Sequence, residues 1–289
     1  MESGYSSFGI IGGDKRQLYC ARSLCDDGYV VTLGGFDKVL SMKGVELTSP
    51  FEAALMSEIV ILPLPSVNAD GRIPAPFSEG GISLTPNLIT AMKGKKIFCG
   101  FKDKLIKAAP SLHGEIFDYY AREEFAVENA VVTAEGAVEI AMNNYEGTLN
   151  GSNCLVAGFG RIGKALLTML KGLGANVTVS ARKPSDFAWI KSTGANFTKT
   201  ENIQEPNSFD IIFNTVPARI FTPVLLAKLK PEVLIIDLAS ADGGVDFFSA
   251  ERMGITAIHA LSLPGKCAPK TAGEIVKNTI YHILEEEYR

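Results

Sequence analysis

The sequence predicts an α/β protein that consists of two doubly wound parallel-sheet domains. Short apolar segments alternate with helix-length segments along the chain, a pattern typical of a parallel sheet with helices on both faces. One long helical segment interrupts this alternation near the middle of the chain. The 289 residues are enough for two cores of ordinary size. We therefore expect one complete sheet domain before the long helix and another after it.

Composition and charge exclude several classes of protein. The chain is 46% hydrophobic and 21% charged, which is typical of globular domains, and its formal net charge is −4. No stripe of basic residues interleaved with aromatic residues is present, so we expect no nucleic-acid partner. The first residues lack a signal-peptide pattern, and no apolar run approaches the roughly 18–20 residues of a membrane span. These observations predict a cytoplasmic protein without a membrane partner.

The cysteines predict neither a disulfide framework nor a metal site. They are five in number, scattered, and without a C-x-x-C pair. We interpret them as reduced thiols that lie mostly in the cores.

The first domain is predicted over residues 1–125, as a flavodoxin-like or Rossmann-like α/β domain. A turn of Gly12, Gly13 and Asp14 follows its first strand. Residues 62–84 are crowded with proline and glycine and show neither helical nor strand periodicity, so we predict a functional or mobile loop there. The expected strands are residues 7–11, 30–33, 59–64 and 96–100.

A linking helix is predicted over residues 126–146, and a second α/β domain over residues 147–270. Apolar residues spaced by three and four mark one face of this helix: Val127, Ala130, Val131, Ala134, Ala137, Val138, Ala141 and Met142. By analogy with two-domain dehydrogenases, we expect residues 271–289 to form a terminal helix that returns to the first domain and leaves a cleft between the domains. The expected strands of the second domain are residues 153–157, 177–180, 210–214, 233–237 and 256–259.

A phosphate-binding turn follows the first strand of the second domain. Gly158, Phe159, Gly160, Arg161, Ile162 and Gly163 match G-x-G-x-x-G, with an apolar strand before them and a helix after them. This context predicts a Rossmann domain that holds the pyrophosphate of NAD or NADP at a helix N-terminus. The alternative is a glycine turn that only connects a strand to a helix.

The end of the next strand favours NADP over NAD. NAD enzymes place a carboxylate there to bind the ribose 2′-hydroxyl, whereas this chain has Ser180, Ala181, Arg182 and Lys183. A serine donor and two cations suit a 2′-phosphate, which a carboxylate would repel. Solvated surface charges, or use of both cofactors, remain as alternatives.

The ends of two later strands are the predicted lining of the nicotinamide pocket, through their backbones. Ligands of open α/β sheets bind at the carboxyl ends of the strands. The residues concerned are Asn214, Thr215, Val216 and Pro217 after one strand, and Asp237, Leu238 and Ala239 after the next.

Several segments together resemble the family of dipicolinate synthase A subunits, over nearly the whole length of the chain. They are IIGGDKRQL at 10–18, TAEGA at 133–137, GFGRIG at 158–163, LIIDLAS with ADGGVDF at 234–247, and LPGKCAPKTAG at 263–273. The first and last of these are more specific than the nucleotide fingerprint, which many dehydrogenases share. The chain is therefore identified as a member of that family.

The resemblance implies a reaction, a partner and a setting. The reaction is oxidation of (hydroxy)tetrahydrodipicolinate or dihydrodipicolinate to dipicolinate (pyridine-2,6-dicarboxylate) with an NADP-type acceptor. The partner is a flavoprotein-like B subunit of the same synthase. The setting is the cytoplasm of the mother cell in a sporulating bacterium. Whether the chain also forms homo-oligomers is left open by the sequence.

A dicarboxylate substrate needs cations and helix N-termini more than a strong base. Arg16 begins the first helix, and Lys270 and Thr271 open the last one, so they are candidate carboxylate ligands, with Ser262 and Lys266 just upstream. Surface charge is the alternative for each cation.

Acid–base candidates are few, because the chain has three histidines. His259 ends a late strand and, with Lys270 and Arg16, is a candidate catalytic residue, although strand-end histidines are more often structural. Thr133 and Glu135 of the TAEGA stretch are candidate substrate contacts, against the simpler expectation of a water-facing helix side. Asp14 is expected to cap the first helix or to orient Arg16.

Two other functions remain consistent with these residues. One is an NADP-dependent dehydrogenase that acts on another small carboxylic acid. The other is a non-catalytic subunit that binds NADP and regulates its companion. Turnover of NADP with the precursor would distinguish an enzyme from a sensor.

Overall fold

A computed structural model of the protein describes residues 5–240 and 243–287. The chain divides into two compact units. Unit 1 comprises residues 1–129 and 268–289, and unit 2 comprises residues 130–267. In the part of the chain that is described, no helix is long and apolar enough to cross a membrane.

Unit 1 is built on a sheet of six parallel strands in the order β3-β2-β1-β4-β7-β8. Its central strands are almost entirely buried, as expected for a sheet covered on both faces. In chain order its first elements are β1 (Ser7–Ile11), α1 (Lys15–Asp26), β2 (Val30–Gly34), β3 (Val45–Thr48), α2 (Pro50–Met56), β4 (Ile59–Ile61), β5 (Arg72–Ile73), β6 (Ile82–Ser83), α3 (Pro86–Met92), β7 (Lys96–Cys99), α4 (Lys102–Ala108) and β8 (Glu115–Asp118).

The segment 62–84, predicted as a loop without regular order, contains a small antiparallel hairpin of β5 and β6. The hairpin covers the turn after β1, where the Gly13 amide donates to the Pro74 carbonyl at 2.6 Å. Asp37, just beyond β2, accepts hydrogen bonds from Ser78 and Glu79 and so fixes the far end of the segment. Strands of two residues are too short to show a period in the sequence. The segment therefore belongs to the core of unit 1.

A 22-residue helix, α5 (Glu123–Asn144), follows a single 3-10 turn. Ala130, Ala134, Ala137, Ala141 and Val138 of the predicted apolar face are buried, whereas Val127, Val131 and Met142 are 40–54% exposed. The buried residues of α5 thus differ from the predicted face, since Phe125, Val132 and Thr133 are buried as well. The small alanine side chains let the neighbouring strands and helices approach closely.

Unit 2 has a second sheet of six parallel strands, in the order β11-β10-β9-β12-β13-β14. Numbered within each unit, both sheets have the order 3-2-1-4-5-6 of dinucleotide-binding folds, which confirms the predicted fold class. The elements are β9 (Asn153–Ala157), α6 (Arg161–Gly172), β10 (Asn176–Ala181), α7 (Pro184–Ser192), β11 (Asn196–Lys199), β12 (Ile211–Asn214), α8 (Pro223–Leu226), β13 (Leu234–Asp237), α9 (Phe247–Arg252), β14 (Thr256–His259) and α10 (Leu263–Cys267).

The last helix, α11 (Pro269–Glu287), belongs to unit 1 and packs against α1. The crossing point is Gly273, where an added Cβ would lie 2.5 Å from the Arg16 carbonyl oxygen. Farther along, Lys277 and Tyr281 both donate to the carboxylate of Asp27 at the end of α1. Burial works against the charged form of Asp27, but these hydrogen bonds outweigh it and lower its pKa. The start of α11 is thereby fixed beside the start of α1.

Candidate active site

The turn after β9 has the geometry that a pyrophosphate requires. Gly158 has φ +100°, and an added Cβ there would lie 2.4 Å from Thr215 Oγ1. At Gly163 a Cβ would lie 2.2 Å from the Gly158 carbonyl oxygen. At Gly160, in contrast, an added Cβ would meet nothing within 4 Å. Two glycines therefore permit close packing, and the third leaves open space in front of the turn.

The open space lies at the N-terminus of α6. Gly160 is the N-cap residue of this helix and supplies no side-chain acceptor for its first amides. Phe159 and Ile162 are partly buried against the core, and the ammonium of Lys164 lies 5.4 Å from the centre of the Phe159 ring. Helix amides at such a position favour an anion. The arrangement fits the pyrophosphate of a dinucleotide.

Ser180, at the end of β10, does not face solvent. Its side chain is fully buried, and its hydroxyl accepts a hydrogen bond from Thr200 at 3.3 Å. Its backbone carbonyl accepts the Gly158 amide at 3.0 Å. The structure thus gives Ser180 a part in holding the phosphate turn, whereas the sequence predicted a donor to the 2′-phosphate. The strand pattern could not reveal this, because Thr200 lies beyond the next strand.

Arg182 and Lys183 are exposed beyond the end of β10. Neither has an ion pair with any described residue. Lys183 is the N-cap residue of α7, whose first residue is proline. Farther along α7 lies Trp189, which is the only tryptophan of the chain and is 68% exposed. Both cations are therefore free to meet a ligand at the strand end.

Asn214 and Asp237 form a buried pair across the ends of β12 and β13. Asn214 Nδ2 donates to Asp237 Oδ1 at 2.8 Å, and Asn214 also bonds both backbone groups of Val216. Asp237 accepts the amides of Ala239 at 3.1 Å and Gly244 at 2.7 Å. The two side chains thus fix the turns after both strands, which include Thr215, Pro217 and Leu238. Ala241 and Asp242, within the ADGGVDF segment, lie outside the described residues.

His259 has a structural contact at the end of β14. Its Nε2 lies 3.2 Å from the Ala239 carbonyl oxygen, and its ring packs on Phe247 with centres 5.3 Å apart. Because a carbonyl oxygen only accepts, the imidazole is the donor in this contact. The structure places His259 beside the turn after β13, where it holds the backbone that was predicted to line the nicotinamide pocket.

Arg16 and Asp14 form a two-pronged ion pair at the start of α1. Arg16 Nε and Nη2 donate to the Asp14 carboxylate at 2.9 Å, and Nη2 also donates to the Leu64 carbonyl at 3.2 Å. Asp14 caps α1 as well, since Oδ1 accepts the Arg16 amide, and Gln17 completes a capping box. Burial lowers the pKa of Arg16, but the hydrogen bond and charge of Asp14 more than offset it, so the pKa is raised. Asp14 fulfils both predicted roles.

Lys270 and Thr271 are exposed in the first turn of α11. Gly273, within one helical turn of both, lies against the backbone of Arg16. Unit 1 therefore holds three of the predicted carboxylate ligands, at the starts of two helices that pack against each other. The residue before Pro269 is Ala268, which offers no side-chain cap.

The other predicted substrate residues lie in unit 2. Ser262 is exposed with φ +60°, and Lys266 is exposed on α10. On α5, Thr133 is buried, and Glu135 lines a groove of about 510 Å³ with Met142 and the last residues of α6. The phosphate turn lies at the opposite end of α6, so the structure separates Glu135 from it. Gly136 of the same stretch is needed for packing, since an added Cβ would lie 2.7 Å from Cys267 Sγ.

The described residues contain no group of three or more histidine, cysteine or acidic side chains that could hold a metal ion. None of the five cysteines, all of which lie among the described residues, forms a disulfide. Burial raises the pKa of Cys20 and of Cys99 to about 12 and that of Cys154 to about 11, so these thiols are neutral.

Comparisons with known proteins cover both units. A family model described as the N-terminal domain of the dipicolinate synthase A subunit matches residues 7–120. One described as D-isomer specific 2-hydroxyacid dehydrogenase, NAD binding domain, matches residues 121–244. The second match supports an oxidoreductase that uses a nicotinamide cofactor.

Whole-chain relatives point to the same family. The dipicolinate synthase A subunit of Bacillus subtilis (strain 168) is 32% identical over 96% of this chain and 95% of its own. The crystal structure of the dipicolinate synthase A subunit from Bacillus halodurans matches with a TM-score of 0.87 at 32% identity, over 96% of this chain and 97% of that one. A transhydrogenase from Sinorhizobium meliloti, 16% identical over 97% of this chain and 93% of that one, has a TM-score of 0.73 and shares the fold. The chain belongs to the family of dipicolinate synthase A subunits.

Proposed function

We propose that this chain oxidises a cyclic dihydro- or (hydroxy)tetrahydrodipicolinate to dipicolinate with NADP as the acceptor. The dihydro form transfers a hydride to NADP and releases a proton, the hydroxytetrahydro form also loses water, and a tetrahydro form without the hydroxyl consumes two NADP. The observation that carries the proposal is the combination of an open phosphate turn at Gly160 with two exposed cations, Arg182 and Lys183, where NAD enzymes have a carboxylate. Membership of the family supports the substrate. NAD remains the alternative acceptor.

The residues of this chain contribute positioning more than acid–base chemistry. Bound NADP supplies the hydride acceptor. The Asn214 and Asp237 pair holds the turns after β12 and β13, whose backbones are the proposed lining for the nicotinamide. Arg16, Lys270 and Thr271 are proposed to bind the substrate carboxylates, with Ser262 and Lys266 as further contacts. The product is an aromatic ring, and its stability supplies driving force for the oxidation. The main contribution that the protein needs to make is therefore orientation of the two reactants.

The family name supports a partner within the synthase, which we propose to be the flavoprotein-like B subunit. We place the reaction in the cytoplasm of the mother cell of a sporulating bacterium, on the strength of family membership. The small dicarboxylate is the other proposed ligand.

One observation favours a second candidate function, a non-catalytic NADP-binding subunit. The titratable side chains at the ends of β13 and β14, Asp237 and His259, are both occupied by bonds to backbone groups. A protein that binds NADP and regulates its companion needs no acid or base at that place.

Turnover distinguishes the two functions. The purified chain, with and without its B-subunit partner, would be mixed with freshly generated hydroxytetrahydrodipicolinate and NADP, and NADPH absorbance would be followed with the ultraviolet bands of dipicolinate. We expect both signals to rise together and Gly160→Asp to abolish both, because its carboxylate would fill the open turn and repel the pyrophosphate. Gly172→Asp is the matched control, since nothing lies within 4 Å of that position on the same helix. Dipicolinate without NADPH would contradict the proposal.

A further inference from the structure

The inference concerns Asp14, the partner of the Arg16 guanidinium. Arg16 is 12% exposed, and its side chain is held at three points: two on the carboxylate of Asp14 and one on the Leu64 carbonyl. A bidentate pair of this kind fixes the plane of the guanidinium as well as its place. Asp14 itself is fixed, because it caps α1 through the Arg16 amide and receives Gln17 in the capping box.

The contacts of Arg16 leave one amino group unused. Nε and Nη2 have partners, whereas Nη1 has no hydrogen-bond partner among the described residues. The two hydrogens of Nη1 are therefore available to an acceptor, and the orientation of that group is set by the bonds on the other side of the guanidinium.

The two glycine amides of the same turn are not available to an anion. The Gly12 amide donates to the Gly34 carbonyl, and the Gly13 amide donates to the Pro74 carbonyl in the hairpin segment. In a nucleotide-binding turn such amides face a phosphate. In unit 1 the two glycine amides are already bonded, and Nη1 of Arg16 is an available side-chain donor at this turn.

We propose that Asp14 is a positioning residue for substrate binding, which holds Arg16 so that Nη1 meets a carboxylate of the substrate. The proposal rests on the proposed function, in which Arg16 binds that carboxylate. The start of α11 supports it, because the Gly273 contact places Lys270 and Thr271 beside the start of α1. Asp14 acts through Arg16 and does not touch the substrate.

A simpler role for Asp14 makes the opposite prediction. If Asp14 only neutralises Arg16, then removal of its charge frees the guanidinium, and a dicarboxylate should bind more tightly. If Asp14 positions Arg16, removal of its charge should weaken dicarboxylate binding. The sign of the change in affinity therefore decides between the two roles.

Asp14→Asn is the decisive variant, because asparagine retains the cap acceptor for the Arg16 amide and loses the charge. Dipicolinate would be titrated calorimetrically into the full chain saturated with NADPH, and KM and kcat would be measured for the precursor. Asp26→Asn is the matched control, since Asp26 pairs with Arg22 on the exposed side of α1. Arg16→Gln gives the loss expected when the guanidinium is absent.

We expect Asp14→Asn to weaken dipicolinate binding by about tenfold and to raise KM far more than it lowers kcat, as the loss of one charge-assisted contact predicts. NADPH affinity and the melting temperature should match those of Asp26→Asn. Unchanged or tighter dipicolinate binding by Asp14→Asn, or an equal weakening of NADPH binding, would overturn the role of Asp14. Arg16→Gln tests the role of Arg16 independently of that outcome. A wild-type chain that binds neither dipicolinate nor the precursor would overturn the proposed function along with it.

Discussion

Arg182 and Lys183 are the residues proposed to meet the 2′-phosphate of NADP, a group that adds almost two negative charges to the ligand. A charge-assisted contact contributes about 1.5–3 kcal/mol, which corresponds to roughly 10-fold to 100-fold in affinity. We expect Arg182→Ala to weaken NADPH binding by that factor and to leave NADH binding nearly unchanged. Fluorescence titration with each cofactor measures the difference.

Lys191→Ala is the control for that experiment, because Lys191 is an exposed cation in the last turn of α7, the helix that begins just after Lys183. It should alter neither affinity. An equal loss of NADPH and NADH binding in Arg182→Ala would contradict the assignment of this residue to the 2′-phosphate.

At the scale of single residues, the sequence predicts what depends on local geometry. The roles of Gly158 and Gly163 follow from the motif, and both positions proved too crowded for a side chain. The bond from Thr200 to Ser180 depends on a neighbour 20 positions away, and no local pattern contains it. The contacts of Asp14 with Arg16 are local and were predicted, but the third contact of Arg16, with the Leu64 carbonyl 48 positions away, has no local pattern.

At the scale of helices, Gly273 shows packing overruling intrinsic propensity. Alanine is a better helix former than glycine by about 1 kcal/mol, so propensity alone predicts that Gly273→Ala stabilises α11. The new Cβ would instead lie 2.5 Å from a backbone oxygen and 2.8 Å from a backbone nitrogen of α1. We expect a net destabilisation of about 1–3 kcal/mol, measured by denaturant unfolding.

Gly172→Ala is the matched control on α6, where nothing lies within 4 Å of the added carbon. It should be neutral or stabilising by up to about 1 kcal/mol. A stable Gly273→Ala variant would show that α11 shifts along α1 without cost, against the packing described above.

The sequence predicts a strand or helix best where burial produces a recognisable pattern of apolar residues. The central strands were predicted to within one residue at each end, except β4, which was predicted over 59–64 and ends at Ile61. Three of the four edge strands, β3, β8 and β11, were missed, and each mixes polar with apolar residues and is only partly buried. The fourth, β14, is also only partly buried but was predicted at residues 256–259. The structure also explains a glycine in each of two segments that carry the family resemblance. Gly136 allows α10 to pack closely against α5, and Gly273 allows α1 to pack closely against α11.

At the scale of the whole molecule, the chain carries the same strand order twice but differs at the first turn of each sheet. The turn after β9 is open at Gly160, whereas the turn after β1 is covered by the hairpin segment. We therefore expect calorimetric titration to find one NADPH per chain. Gly160→Asp should remove that single site, and a second equivalent that survives the substitution would show that unit 1 also binds the nucleotide.

Trp189 allows NADPH binding to be measured by intrinsic fluorescence. The single tryptophan of the chain lies six positions after Lys183, roughly 9 Å along α7, and its ring is largely exposed already in the folded protein. Because the ring is already exposed in the folded state, its emission is a weak reporter of the unfolding of unit 2, to which it belongs. It is instead a built-in energy-transfer donor next to the proposed ribose phosphate site, so arrival of reduced cofactor can be followed without a dye.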